Sequence, residues 1–344
     1  MGVPVIPSLY QPPWFLRNGH AQTVYPVLRR RLPEVRYERE RLELADGDFL
    51  DLDWSRAGGR NVVIVSHGLE GSSQRDYVKG MVRTFNRRGW DAVAWNYRGC
   101  SGEPNRLLRF SHSGASDDLW QVVEAVARHG YERVGLVGFS IGGNLTLKLL
   151  GELGERAPQW LVGGVAVSVP CDLKSSAEVM ASRENRPYME RFLAELHQKI
   201  RAKQARFPEA LDDANYSSLK TFRDFDDRYT APLHGFRDAE DYWTKSSSRF
   251  FLEPIRRPVL LLNAADDPFL SPECFPEAIA VRHAWLHLEV PAHGGHVGFV
   301  GNGLRPDEYY SERRAWEFLS GEKRVDGATQ ASPSPADGEE KLQG

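Results

Sequence analysis

Between residues 133 and 153 the chain reads RVGLVGFSIGGNLTLKLLGEL, and no other run constrains the fold as much. Its first part is a short apolar run, as a buried parallel strand requires; its last part reads as an apolar helix. Between them stands Gly138-Phe139-Ser140-Ile141-Gly142. A serine at so tight a strand-to-helix turn is held in a strained backbone that lifts its hydroxyl clear of the sheet. Glycines on both sides let strand and helix nearly touch. The five-residue pattern alone is common by chance, and a glycine-rich turn that only packs helix on strand is the plain alternative. The strand–turn–helix setting is what favours a nucleophile at Ser140. It also places Ser140 at a helix N-terminus, so the backbone N–H of Ile141 is an expected donor to a negatively charged oxygen.

The text around this run alternates strand and helix. RLELADGDFLDLDW (41–54) reads as two short strands joined around Asp46-Gly47, and NVVIVSHG (61–68) as a buried strand. In 76–88, Val78, Met81, Val82 and Phe85 recur at helical spacing before Gly89; DAVAWNYRG (91–99) follows as a strand. Asp117 and Asp118 open a helix whose buried stripe is Leu119, Val122, Val123 and Val126. VGGVAVSVP (162–170), RPVLLLNAADDP (257–268) and HAWLHLEVPAHGGH (283–296) supply further strands, and 309–321 a closing helix. Between about 171 and 250 the strands stop and charged, aromatic-rich helical text takes over. The spacing therefore predicts a mainly parallel sheet over 41–170 and 251–322, interrupted by a helical cap over 171–250. Residues 1–40 read as an irregular, proline-containing arm on the body, and 325–344 as a disordered tail.

A serine hydroxyl needs a histidine to take its proton, and that imidazole needs a carboxylate to fix its tautomer. In a sheet of this kind the chain order is Ser, then Asp or Glu, then His. Asp266 and Asp267 follow the strand VLLLN, at the end where open α/β sheets place their sites. Asp267, followed by Pro268, is preferred as the acid, and Asp266 is then a turn cap or a local hydrogen-bonder. His293 and His296 lie on the glycine-containing loop after the last strand. His296, which enters the turn Val-Gly-Phe, is the preferred base over His293. Ser66-His67-Gly68-Leu69 closes another strand, and Leu69 is the expected second N–H donor, with His67 a structural hydrogen-bonder beneath that loop.

With these residues the chain resembles the YheT-like branch of the α/β-hydrolases, the AB-hydrolase-4 family. The resemblance rests on GFSIGGN and on RNGHAQTVYP (17–26), SHGLEGSS (66–73), NYRGCSGEPNR (96–106), FDDRYTAPLHGF (225–236), NAADDPFL (263–270) and HGGHVGF (293–299), and spans nearly all of the chain but the tail. It implies an α/β-hydrolase fold, a triad carried by Ser140, Asp267 and His296, and carboxylic-ester hydrolase activity; the expectation is an acyl-enzyme mechanism on a small-molecule acyl ester, with no cofactor or metal. Thioester or lipid acyl hydrolysis with the same triad, or a non-catalytic binding module on the fold, are the other readings. Animal relatives act on lipid esters and usually carry an N-terminal membrane anchor, which this chain is expected to lack.

Composition narrows the partners. Lys and Arg number 44 against 47 Asp and Glu, a formal net charge of -3, which is not the basic footprint of a nucleic-acid binder. Cys100, Cys171 and Cys274 form no CxxC pair, which fits a reducing compartment. The proline-broken N-terminus shows no signal peptide, and a cytoplasmic location is the expectation. His112 to Asp117 fits H-x-x-x-x-D, but two fixed positions carry little information, and Asp117 is accounted for as a helix cap. Asp212-Asp213 and Asp224 to Asp227 read as a solvated acidic face rather than a cation loop. The aromatics Tyr216, Phe222, Phe225, Tyr229, Phe236, Tyr242 and Trp243 either line an acyl pocket or pack the cap onto the body.

Overall fold

A computed structural model describes residues 5–301 and 307–322. The expected disordered tail, 325–344, lies outside them.

Valine-rich runs with both faces covered become the central strands. β4 (Asn61–Ser66), β6 (Arg133–Phe139), β7 (Leu161–Val167) and β8 (Val259–Leu262) are buried along almost their whole length. They join β1 (Val5–Ile6), β2 (Glu38–Glu43), β3 (Phe49–Ser55), β5 (Asp91–Asn96) and β9 (Leu286–Glu289) in one nine-stranded sheet, ordered β1-β9-β8-β7-β6-β4-β5-β3-β2. Only the β2–β3 and β3–β5 pairings are antiparallel. The expected hairpin is present, but β2 starts earlier than predicted, and a longer turn closed by Leu44 N–H to the Asp48 carbonyl at 2.9 Å replaces a two-residue one.

Successive strand residues point to opposite faces, so two cores form. Val62 and Ile64 face α3 (Ser116–Ala127) and α4 (Ile141–Leu153). Val63 and Val65 face α2 (Asp76–Asn86) and α11 (Tyr310–Ser320), where Val78, Met81, Val82 and Phe85 meet Ala315, Trp316 and Leu319. Each fully buried aliphatic or aromatic side chain contributes roughly 1.5–3 kcal/mol relative to exposure.

Between β7 and β8 the described residues are helical: α5 (Leu173–Met180), α6 (Arg186–Gln204), α7 (Phe222–Phe225), a π-turn over Asp226–Thr230, α8 (Ala231–Leu233) and α9 (Ala239–Ser246). This insertion has its own core, built on Met189, Leu193, Leu196 and Ile200, and Phe110 and Phe269 of the sheet domain pack into it. A short α10 (Glu277–Ala280) precedes β9.

Two expectations need correction. The described part of the 1–40 arm, residues 5–40, is not irregular: it holds β1, which pairs in parallel with β9, and α1 (Gly19–Arg29). Asn18 caps α1 by accepting from Ala21 N–H at 3.1 Å, and the helix continues through Pro26. Asp117 caps nothing. The N-cap of α3 is Ala115 without a side-chain bond, Asp117 is exposed, and Asp118 turns inward to a two-point hydrogen bond with Arg98 at 2.7 and 2.8 Å.

Candidate active site

The turn between β6 and α4 places Ser140 at φ 54° and ψ -121°, a conformation that costs a non-glycine residue about 1–3 kcal/mol. Two backbone bonds hold it there: Ser140 N–H to the Val167 carbonyl at 2.9 Å and Asn144 N–H to the Ser140 carbonyl at 3.1 Å. The flanking glycines are a steric requirement. A Cβ on Gly138 would lie 2.1 Å from the Gly142 carbonyl oxygen, and one on Gly142 would lie 2.5 Å from the Ser66 carbonyl oxygen.

Ser140 Oγ stands 3.0 Å from His296 Nε2, and His296 Nδ1 stands 2.9 Å from Asp267 Oδ2 and 3.1 Å from Oδ1. An ionised carboxylate only accepts, so the proton of a neutral imidazole sits on Nδ1 and leaves Nε2 free to accept from the serine hydroxyl. Asp267 is buried, and Phe269 N–H donates to its Oδ1 at 2.9 Å. The Phe269 ring packs 4.3 Å from the imidazole. Asp266 and His293 form a separate pair: His293 Nδ1 lies 3.2 Å from Asp266 Oδ2, and Asp266 Oδ1 accepts from Gly295 N–H at 2.9 Å.

Three residues without an assigned part in the sequence reading shape the His296 loop. Thr23 Oγ1 accepts from His296 N–H at 2.9 Å, Ser168 Oγ from Val297 N–H at 2.8 Å, and Gln22 Oε1 from Val300 N–H at 3.0 Å. Val297 and Phe299 sit at φ 60° and 45°, so this loop needs such outside holds. Gln22 and Thr23 belong to the RNGHAQTVYP stretch, which marked the position without indicating the contact.

The loop after β4 lies against Ser140: a Cβ on Gly68 would fall 3.4 Å from Ser140 Cβ. His67 is fully buried. Its Nδ1 donates to the Gly68 carbonyl at 2.7 Å and its Nε2 accepts from Tyr97 N–H at 3.3 Å, while burial depresses its pKa to about 3. It is neutral at any working pH. Gly68 N–H donates to Tyr77 Oη at 3.0 Å, and Glu70 sits at φ 47° with its carbonyl accepting from Arg75 Nη2 at 2.9 Å. Leu69 is therefore held between two fixed neighbours. Ile141 is the first residue of α4, before any intrahelical N–H bond.

A family described as alpha/beta hydrolase fold matches residues 61–302. YheT of Escherichia coli (strain K12), named provisionally as an esterase, is 36% identical over 310 residues, covering 88% of this chain and 90% of that protein. The chain belongs to the α/β-hydrolase family, in its YheT-like branch. This α/β-hydrolase is also 29% identical to Phospholipase ABHD3 of Mus musculus, over 92% of this chain and 79% of that protein. Among solved structures, Pyrococcus furiosus esterase Pf2001 shares the fold with a TM-score of 0.55 at 18% identity, over 83% of this chain and 92% of that one. No helix among the described residues of this hydrolase is long and apolar enough to cross a membrane.

Two cavities of the hydrolase meet at Ser140, and Leu69, Phe192, Phe269 and His296 border both. The inner one, about 120 Å³, lies under the insertion and is walled by Leu173, Met180, Leu196, Phe222, Phe225 and Trp243. The outer one, about 490 Å³ on the same measure, opens between α1 and α6 beside Val24, Val27, Leu28, Arg75, Tyr188 and Arg191. Of the seven aromatics singled out in the sequence, Phe222, Phe225, Tyr242 and Trp243 line the inner cavity. Tyr216, Tyr229 and Phe236 pack the insertion.

The insertion grips the loop beside Ser140 through a buried ion pair. Lys199 of α6 donates to Glu70 Oε1 at 2.6 Å, with both side chains largely buried and Cys100 Sγ 3.5 Å from the ammonium. Lys199→Met strands a buried carboxylate and is expected to cost about 3–5 kcal/mol. The double variant Lys199→Met/Glu70→Gln should recover most of this in denaturant unfolding; equal losses would mean that the pair is not the cause.

Asp226 corrects the reading of a solvated acidic face. It is buried, borders the inner cavity and accepts from Trp243 Nε1 at 2.8 Å. Asp224 closes a capping box with Thr221, and Asp227 accepts from Ala239 N–H at 2.7 Å. Among the described residues no group of three His, Cys, Asp or Glu is placed to hold a metal ion. Burial raises the Asp226 pKa from 3.8 to about 7. Between those values the folded chain keeps a proton that the unfolded chain has released, so stability falls as pH rises and stays lowered above about 7. Asp226→Asn keeps an acceptor for Trp243 and removes the charge. It is expected to raise stability by up to about 4 kcal/mol above about pH 7 and by little near pH 4, as read from thermal unfolding across pH.

Proposed function

We propose that this hydrolase cleaves carboxylic esters through an acyl-enzyme on Ser140. The observation that carries the reading is the hydrogen-bonded line Ser140–His296–Asp267 set on a strained strand-to-helix turn. Ser140 Oγ attacks the ester carbonyl as its proton passes to His296 Nε2. The negative oxygen is received by the N–H groups of Leu69 and Ile141, a contribution of roughly 10²–10³ in rate for each such donor. His296 then protonates the leaving alcohol, takes a proton from water, and the resulting attack on the acyl group releases the acid and restores the serine. Asp267 stays ionised and orients the imidazole throughout. No step requires a cofactor or metal.

The acyl group occupies the apolar inner cavity and the leaving alcohol the roomier outer one. This division, with the phospholipase-named relative, favours an amphiphilic lipid ester over a small uniform one. A fluorophosphonate probe and a series of p-nitrophenyl esters from acetate to palmitate test both statements. The probe is expected to label Ser140 of the folded protein, and the chain-length profile reads the inner cavity. A folded protein that takes no label is a binding module, not an ester hydrolase.

A further inference from the structure

Nine large hydrophobic side chains are strongly exposed among the described residues, and six of them fall within one short stretch: Leu9, Trp14, Phe15, Val24, Val27 and Leu28. Trp14 is 80% exposed, Val27 60% and Leu28 62%. The turn carrying Trp14 and Phe15 packs beside α1. On α1 itself Val24, Val27 and Leu28 share one face at i, i+3 and i+4 spacing, while Gly19 and Gln22 face inward and Ala21 and Tyr25 pack on Leu16, Val300 and Tyr309. The outward face is therefore apolar, with none of the described residues above it. Scattered apolar side chains on a surface are ordinary; a contiguous cluster is not.

The charge of the same stretch is as uneven. Residues 5–33 contain Arg17, Arg29, Arg30 and Arg31 and no aspartate or glutamate, in a chain whose formal net charge is -3. Arg30 is taken up by Glu312 in a buried pair, whereas Arg17, Arg29 and Arg31 are exposed. Exposed apolar side chains with a surface tryptophan, in a stretch that carries arginines and no carboxylate, have the composition of an element that lies in the interface of an anionic bilayer. A second copy is a poor occupant, because a two-fold contact would set arginines against arginines.

We propose that the outer face of α1 and the Trp14–Phe15 turn dock this protein peripherally on an anionic lipid surface. Val24, Val27 and Leu28 are also the rim of the outer cavity whose floor carries Ser140 and His296. Docking by this face turns that opening toward the lipid, so an amphiphile reaches the serine without first dispersing in water. The route of the substrate rests on the ester-hydrolase reading; docking itself does not, and is measured without turnover.

The full chain is sedimented with vesicles of phosphatidylcholine alone and of phosphatidylcholine mixed with phosphatidylglycerol. Binding is expected to the mixed vesicles and to weaken steeply with salt. Arg17→Gln/Arg29→Gln should lower it by roughly 25-fold, at about five-fold per arginine near an anionic surface. Trp14→Ser/Phe15→Ser should lower it at least ten-fold on mixed vesicles. Both pairs keep the circular dichroism spectrum and the hydrolysis of p-nitrophenyl acetate. Wild type that stays in the supernatant with every vesicle, or variants that bind as well as wild type, overturns the proposal. Self-association through this face, seen as a dimer by light scattering and abolished by Trp14→Ser/Phe15→Ser, likewise overturns it.

Discussion

Ser140→Ala is expected to lower kcat on a p-nitrophenyl ester by about 10⁴–10⁶-fold while KM changes little. The walls of both cavities survive this change, so ground-state binding is retained. What is lost is the oxygen 3.0 Å from His296 Nε2. A residual rate of roughly 10³–10⁴ over uncatalysed hydrolysis should remain, because in the proposed mechanism the N–H groups of Leu69 and Ile141 would still receive the oxyanion from a water attack. Steady-state kinetics with parallel fluorophosphonate labelling measures both parts. A variant within ten-fold of wild type in kcat places the nucleophile elsewhere and removes the acyl-enzyme mechanism.

The second large effect separates two adjacent carboxylates. Asp267→Asn should cost about 10⁴ in kcat, because an amide no longer holds the His296 proton on Nδ1 and no longer stabilises the imidazolium that forms. Asp266→Asn should cost less than ten-fold. Its side-chain oxygen still accepts from Gly295 N–H, and only the outlying His293 contact weakens. Comparing kcat of the two variants on one substrate decides the matter. Equal losses, or the larger loss at Asp266, would reassign the acid.

Periodicity carried the sheet and its flanking helices, because their apolar residues are apolar for burial: Val62 to Val65 alternate between two cores, and Val78, Met81, Val82 and Phe85 form one stripe. The same logic hid α1. Its apolar residues Val24, Val27 and Leu28 face outward and Pro26 stands inside it, so neither stripe nor continuity marked a helix. β1 was too short to register, with two residues at a sheet edge. At the site, motif and chain order brought Ser140, Asp267 and His296 to notice, and the neighbouring Pro268 and Val297-Gly298-Phe299 favoured Asp267 over Asp266 and His296 over His293, but which loop reaches which is a property of the packed chain. Thr23 and Ser168 escaped for the same reason, since each acts through one hydrogen bond to a residue more than a hundred positions away. Asp226 looked like its solvated neighbours because burial is a property of the packed insertion, not of the run of aspartates.

The pairing of β1 with β9 and the grip of Gln22 and Thr23 on the loop at 296–300 also set a timetable. On a ribosome the arm and the serine turn emerge early, and the segment that must thread between them comes some 150 residues after Ser140. Until then the nascent chain has Ser140 with no imidazole beside it and an arm with no partner strand. Contacts this distant in sequence form late and slowly. On the ester-hydrolase reading proposed above, the growing chain stays chemically silent through most of its synthesis, and Ser140 gains its base only once the sheet has closed over nearly its whole length.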